Sequence, residues 1–412
     1  LDHLPLWTLG GVLALIAARN LARIPLAIWQ IMGLGALLVL LTGATAPRTA
    51  WQAIDWEVIG FLFGVFVLGH ALVQSGWLGA MSARLLGRIK GADALLIAVI
   101  FAAAIGSAFL MNDTLAVIGT PIVLALARDH RLPPALLLLA LAFGVTIGSV
   151  MSPIGNPQNL LIALHGGIQN PFVDFIGALG PPTLVNLLIA YAVLRLAFWR
   201  HIHGEALVHL PTRIEDRKLA RLASLSLGLL VLMVAVRIAL SFVAPQFAFP
   251  LVVIALVAAA PLLLFSPHRV TLLRGIDWHT LIFFVAMFIL MRSVWNTGLM
   301  QSWIPAGPIG LGEVFGAGVL GSQLISNVPL VSLALPLLPP ERPDLLMALA
   351  AGSTIAGNLT LIGAASNIII VQAAERRGTH LGFWVFFAVG APLTLLNLAV
   401  YWAWLGMLGM LS

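Results

Sequence analysis

Long apolar runs, each closed by a short polar or basic stretch, follow one another along the chain. Those at 5–18, 26–43, 56–75, 133–164, 181–199, 222–242, 248–265, 278–297, 344–374 and 381–410 read as ten membrane spans. They are continuous, without the alternation of a transmembrane barrel, so the expected fold is an all-α polytopic membrane protein. The first run has no basic segment ahead of it and is expected to be a span, not a cleaved leader. Two further runs are interrupted: 94–127 by Met111-Asn112-Asp113-Thr114, and 309–338 by Ser326-Asn327-Val328-Pro329. Counted from Leu115 and from Leu330, the second arms reach only ~20 Å and ~14 Å, short of a hydrocarbon core of ~30 Å. Both runs are therefore expected to be re-entrant hairpins with their tips in the membrane. The alternative is two ordinary pairs of spans with polar turns at the surface.

Spans four and nine are apolar but carry helix breakers. Ser152-Pro-Ile-Gly155-Asn156-Pro157-Gln-Asn159 interrupts the first, and Asn358-Leu-Thr360-Leu-Ile-Gly363-Ala-Ala-Ser366-Asn367 the second. Pro lacks an amide hydrogen and Gly favours non-helical backbone. At membrane depth such irregular chain is tolerated only against protein or a water-filled cavity. The two stretches align without gaps, Ser152 on Thr360, Gly155 on Gly363 and Asn159 on Asn367. Ile54-Asp55-Trp56 is echoed by Ile276-Asp277-Trp278, and Asn112 by Asn327. The chain thus divides into a first repeat (1–200), a linker (201–219) and a second repeat (220–412). Each repeat has five spans and one hairpin, and an odd number of spans inverts the second against the first. Paired broken segments of this kind mark the substrate site of a secondary transporter.

The composition agrees: 61% of the 412 residues are hydrophobic and 9% charged. The net charge of +6 comes from basic residues in short loops and reports topology, not a nucleic-acid partner. All of the Lys and Arg fall on one side except Arg48, Arg237, Arg292 and Arg342. By the positive-inside rule that side is cytoplasmic, as in a bacterial-type inner membrane, with both termini outside and the linker inside. No cysteine is present, so there is no disulfide or thiolate metal site. No phosphate-binding glycine motif, zinc-ligand cluster or nucleophile elbow appears, which gives no support to ATP drive or to an enzyme, and no cofactor is expected.

Asp113 is the one acidic residue expected deep in the membrane, where a carboxylate costs ~2.5–3.5 kcal/mol to insert and by default marks an ion or proton site. A proton and Na⁺ are the rival occupants, and a capping role at the start of the second arm is the structural alternative. Asp55 and Asp277 have the positions of helix caps. Asn112, Thr114, Ser326 and Asn327 at the tips join Ser152, Gly155, Asn156, Asn159, Asn358, Thr360, Gly363, Ser366 and Asn367 at the breaks. Together they form a neutral hydrogen-bonding shell without Lys, Arg or His. Each of them could equally satisfy backbone freed by the breaks. His70 and Arg292 hold matching places in spans three and eight, and Trp51, Trp56, Trp199, Trp303, Tyr401 and Trp402 fit interfacial anchoring.

Asn112-Asp113-Thr114 with Gly119-Thr-Pro-Ile-Val123, the two breaks and Ser326-Asn-Val-Pro329 resemble the ion transporter superfamily over nearly the whole chain. That group includes arsenite permeases, D-type sodium/proton antiporters and divalent anion/sodium symporters. Gly155-Asn-Pro-Gln-Asn159 and Ala356-Gly-Asn-Leu-Thr360 are most similar to silicic acid and arsenite effluxers. Dicarboxylate symporters of the group carry Ser-Asn-Thr at both tips, and this chain departs from that. The resemblance implies a homodimer and an elevator-type mechanism, with spans one to three and six to eight as scaffold. The hairpins, the broken spans and spans five and ten are then the moving part. The expected activity is proton-coupled efflux of a small neutral metalloid hydroxide. The alternatives are a sodium- or proton-coupled anion transporter or a sodium/proton antiporter of the same fold, and, from another class, a channel.

Overall fold

The computed structural model describes residues 3–22, 26–86, 89, 91–201, 214–299, 309–339 and 341–411, and among these every regular element is helical. Among the described residues six helices are long and apolar enough, by length and composition, to cross a membrane: Trp56–Gln74, Ala92–Leu110, Pro171–Ala197, Arg217–Val243, Trp278–Trp295 and Phe383–Gly409. The helices form two packed groups. In the first, α1 (Leu4–Ala22), α2 (Ile28–Leu41), α4 (Trp56–Gln74), α11 (Arg217–Val243), α12 (Leu251–Phe265) and α14 (Trp278–Trp295) pack on one another. In the second, α6 (Ala92–Leu110), α7 (Asn112–Asp129), α8 (Pro134–Val150), α9 (Pro157–His165) and α10 (Pro171–Ala197) pack with their later counterparts. These are α15 (Leu311–Ile325), α16 (Asn327–Ala334), α17 (Pro343–Ile355), α18 (Ala365–Glu375) and α19 (Phe383–Leu411).

Polar residues set the ends of these apolar rods. Asp55 accepts the amides of Glu57 and Val58 at 2.9 and 3.1 Å and starts α4. Asp277 accepts that of Thr280 at 3.1 Å and starts α14. Both are the caps expected from the sequence. Gly76 and Gly298, with φ of +70° and +74°, follow the same two helices. Asp216 caps α11, so the last residues of the expected linker are already its first turn. The amides of Glu215 and Asp216 bond the carbonyl of Ser75 at the end of α4. The remainder of the linker, 202–213, and Trp303 lie outside the described residues.

Both interrupted runs fold back on themselves. The turn residues Met111 and Ser326 have φ of +64° and +72°, a region side chains rarely adopt and one that costs of order 1–3 kcal/mol. Leu115 lies against Gly106, and Leu330 against Gly321, each nine residues apart across its turn. The second arm of hairpin two is short as expected, with eight α-helical residues in Asn327–Ala334, but that of hairpin one is not. Asn112–Asp129 is helical throughout its 18 residues, about 27 Å. The polar residues that looked like an interruption are its first turn. Span five also begins ten residues before its expected start, because Pro181 and Pro182 lie inside α10 without breaking it. Tyr401 is no interfacial anchor: it is fully buried, and its hydroxyl meets that of Thr183 at 2.6 Å.

Glycine lets the helices that carry the site approach backbone to backbone. A Cβ on Gly144 would lie 2.7 Å from the carbonyl oxygen of Ile100, and one on Gly148 would collide with the backbone of Ala104, so α6 lies directly on α8. Between α4 and α12, a Cβ on Gly64 would sit 2.6 Å from the carbonyl of Ala255. Gly148→Val should lower stability by roughly 1–3 kcal/mol or more, read as a lower Tm in detergent. Gly228→Ala, with open space around it, should be neutral or slightly stabilising. Equal melting of the two variants would refute the close approach.

Candidate functional site

The breaks in spans four and nine are held by one device used twice. The Asn159 side-chain amide donates to the carbonyls of Ser149, Val150 and Ser152 at 3.1, 3.1 and 3.0 Å. The Asn367 amide donates to those of Gly357 and Thr360 at 2.6 and 3.4 Å. Ser149 and Gly357, Ser152 and Thr360, and Asn159 and Asn367 are all separated by the same interval, so the clamp recurs with its partners in register. Carbonyls left free by the breaks, each costing about 1–3 kcal/mol if buried unpaired, are thereby satisfied. Gly155 and Gly363 serve the same folds: a Cβ on either would stand 2.7 Å from the carbonyl of Ser149 or Ala356.

Each hairpin docks on the break of its own half. The amide of Asn112 bonds the carbonyl of Gly155 at 2.9 Å, and the Ser152 hydroxyl donates to the carbonyl of Ala108 at 2.6 Å. In the second half Gln323 stands where Ala108 stands in the first. Its amide donates to the carbonyl of Ala356 at 2.7 Å, and its carbonyl oxygen accepts the Thr360 hydroxyl at 2.6 Å. The breaks are joined through Thr354, which receives hydrogen bonds from Asn156 and Gln158 at 3.3 Å each. Asn358 donates to Asn397 at 3.3 Å, and Asn397 to Asn186 at 3.0 Å, tying α10 and α19 to the second break. Gln323, Thr354, Asn186 and Asn397 are absent from the residues picked by sequence. A lone polar residue inside an apolar helical run is their only signal.

The two halves differ in what they leave unused. In the first, the Asn112 side-chain oxygen accepts the amide of Asp113, that of Asn156 accepts the amide of Asn159, and Ser152 is bonded. In the second, the side-chain oxygens of Asn327, Asn358, Ser366 and Asn367 are buried with no hydrogen-bond partner, as is that of Ser322. The Asn367 amide cannot be turned around to relieve this, since its nitrogen faces carbonyl oxygens that only accept. The unused groups are thus mostly acceptors or hydroxyls of hairpin two and its break, joined by the Thr146 hydroxyl of α8, whose side chain lies beside Gly357.

Asp113 looks elsewhere. With Thr114, Val117 and Ile369 it faces Phe66, Gly69, His70, Val73, Gly275, Ile276 and Asp277 across a cleft of about 130 Å³ between the two helix groups. Asn112, Ser152 and Asn327 do not line it, so the expected residues do not share one cavity. Nor does Asp113 cap α7, whose N-cap is Met111 without a side-chain cap bond. The cleft offers three titratable groups, Asp113, Asp277 and His70.

The geometry separates residues that hold the break from residues with spare capacity. Asn159→Ala should strand three carbonyls and cost about 2–5 kcal/mol, seen as a large fall in Tm and in folded yield. Ser366→Ala removes an unpartnered hydroxyl, so it should leave Tm unchanged and weaken solute binding. Similar melting of both variants would contradict this division.

Comparison with known proteins agrees with this architecture. The silicon efflux transporter LSI3 of Oryza sativa subsp. japonica is 28% identical over 447 aligned positions, covering 89% of this chain and 90% of its own. A 46 kDa membrane protein of Mycobacterium leprae is 28% identical over 372, covering 84% and 85%. The crystal structure of the Alcanivorax borkumensis YdaH transporter, with its unusual topology, shares the fold at a TM-score of 0.60 and 17% identity, covering 98% of this chain and 97% of that one. Residues 12–340 match the citrate transporter family, CitMHS. The chain therefore belongs to that family of the ion transporter superfamily, whose members are membrane transporters and not enzymes.

Proposed function

We propose that the protein is a secondary active transporter that exports a small neutral metalloid hydroxide, arsenite or silicic acid, in exchange for protons. The carrying observation is the set of buried, unpartnered acceptors of Asn327, Asn358 and Asn367, with the free Ser366 hydroxyl beside Asn367 in the chain. A ligand that satisfies them must bring hydrogen-bond donors, and a neutral polyhydroxide brings three or four. A carboxylate or other oxyanion could take the Ser366 hydroxyl but would set further acceptors against the side-chain oxygens of Asn327, Asn358 and Asn367, with no Lys, Arg or His among the tip and break residues to offset it. The similarity to a silicon efflux transporter supports the same substrate class.

The hairpins, broken spans and spans five and ten act as one carrier. It slides along the scaffold of α1, α2, α4, α11, α12 and α14 as an elevator, with the two halves as inverted repeats. The protein works as a homodimer in the inner membrane, termini outside, with the linker in the cytoplasm. Asp113 is the coupling group: it lies on the carrier, one residue from the tip contact at Asn112, and faces the scaffold across the cleft it shares with His70 and Asp277. Carrier movement changes the groups with which it exchanges a proton. Ser366, Asn367, Asn327 and Asn358 contact solute, while Asn112, Ser152, Asn156 and Asn159 hold hairpin one and the first break in shape around it. Thr360 is held by Gln323 and shapes the second break.

Expression in a host lacking its arsenite pumps should raise tolerance to arsenite or germanic acid, and absence of any gain would count against the reading. In proteoliposomes, Asp113→Asn should lower pH-driven flux about tenfold or more, with Tm unchanged because the amide keeps the size and shape. Flux driven by an imposed Na⁺ gradient but not by a pH gradient would assign the protein instead to the sodium-coupled members of the fold.

A further inference from the structure

The carrier meets the scaffold at two clefts built from equivalent positions. Asp55 of the first corresponds to Asp277 of the second at an interval of 222 residues, as His70 does to Arg292 and Val73 to Trp295. The scaffold sides therefore match. The carrier sides match only in part. Leu161 and Ile369 are equivalent, as are Ser332 and Val117, and each lines its own cleft. Beyond them the first cleft runs on away from its hairpin tip, to His165 and Pro336. The second runs toward its tip, to Thr114 and Asp113. The carrier is thus displaced along the scaffold, with the hairpin-one tip drawn toward Asp277.

Giving each half the conformation of the other generates a second state. In it Leu161 and Ser332 still face Asp55, but His165 does not, having moved about one helical turn, ~5.4 Å, along the scaffold. In the state described here, the His165 imidazole at the end of α9 is hydrogen-bonded to the Asp55 carboxylate at the N-cap of α4. The bond crosses from carrier to scaffold. The equivalent of His165 is Ala373, so the second cleft has no such pair.

We propose that His165 and Asp55 form a proton-sensitive latch that holds the carrier in this state and breaks when the carrier moves. It rests on the carrier movement proposed above. The groups around the pair are few. Glu57 adds negative charge from α4, Arg292 lines the cleft from α14, Ser332 of α16 brings no charge, and α17 contributes no side chain to the lining. The bond to Asp55 holds the imidazole above its ordinary pKa, against the opposing effect of burial. Burial works to raise the Asp55 carboxyl, but the His165 bond and the amides of Val58 and Glu57 outweigh it and hold the group below its ordinary value. The histidine contribution is complete below the free imidazole range and is lost as pH rises through the raised value. The aspartate contribution is complete above the free carboxylate range and is lost as pH falls through the lowered one. The latch is therefore closed at a pH between the lowered aspartate value and the raised imidazole value, and opens as pH on the Asp55 face, the outer one by the positive-inside rule, rises through the latter.

The absence of cysteine allows a direct test on the full chain in proteoliposomes, with spin labels at Q52C on the scaffold and Q169C on the carrier, both exposed. Two distances are expected, with the ratio of the shorter to the longer population about threefold higher at pH 6 than at pH 8.5. His165→Gln should remove the pH response, and so should Asp55→Asn, which keeps a capping side chain at the head of α4. A disulfide in the H165C/D55C variant should arrest transport until it is reduced. A single distance at every pH would overturn both the latch and the moving carrier. Two distances whose ratio ignores pH, an unchanged pH response in His165→Gln, or transport through the oxidised disulfide would overturn the latch alone. None of these distances depends on the identity of the solute, so failure of the arsenite test leaves them independent.

Discussion

Everything in this fold follows from the cost of leaving backbone carbonyls unpaired at membrane depth. Many secondary transporters place irregular chain in mid-bilayer, because a broken helix offers its ends to a solute there. Each break frees carbonyls that lipid cannot satisfy. Asn159 and Asn367 resolve the conflict by bringing a two-hydrogen donor back into the gap. Pro153 and Pro157 make the gap, Gly155 lets the chain pass beside Ser149, and the asparagine closes the bonds. The hairpins then have fixed surfaces to dock on, which is why Met111 and Ser326 can be held at strained positive φ.

Much of this can be read from the chain, and what can be read has a physical reason. Prolines and glycines inside apolar runs announce the breaks because nothing else explains them there. Asp55 and Asp277 announce caps because each precedes an apolar run. Met111–Thr114 placed the reversal correctly but misled about its extent: the turn is confined to Met111, and the three polar residues after it are already the first turn of α7. Gln323 and Thr354 were invisible because one polar side chain on an otherwise apolar helix has no periodicity. Tyr401 was misplaced because closeness to a span end says nothing about which way a ring points, and here it points to Thr183. The polar residues at the tips and breaks are legible as a group, but their division into clamp and free acceptor lies in hydrogen-bond partners that no sequence displays.

That division carries the functional argument. Had both halves used their side chains fully, the centre would be internal glue and the transporter would have to find its solute elsewhere. Had both left acceptors free, the number of buried unpaired groups would be large for a stable core. Apart from the Thr146 hydroxyl, the first half is closed and the second open, which is the arrangement the proposed solute site requires: free groups beside a break that pairing keeps rigid.

The repeated frame and its unequal residues have separate roles. The carrier movement proposed above needs two states of nearly equal energy, and equivalent scaffold clefts are suited to supply them, since exchanging the halves exchanges similar contacts for similar contacts. Perfect equivalence would give no direction and no coupling. The departures from it are few and chemical: Asp113 against Val328, His165 against Ala373, Arg292 against His70. Each places a titratable or charged group in one half and a neutral or weaker one at the equivalent position. In the proposed mechanism a proton then acts differently on the two states, and that difference is what couples it to the solute.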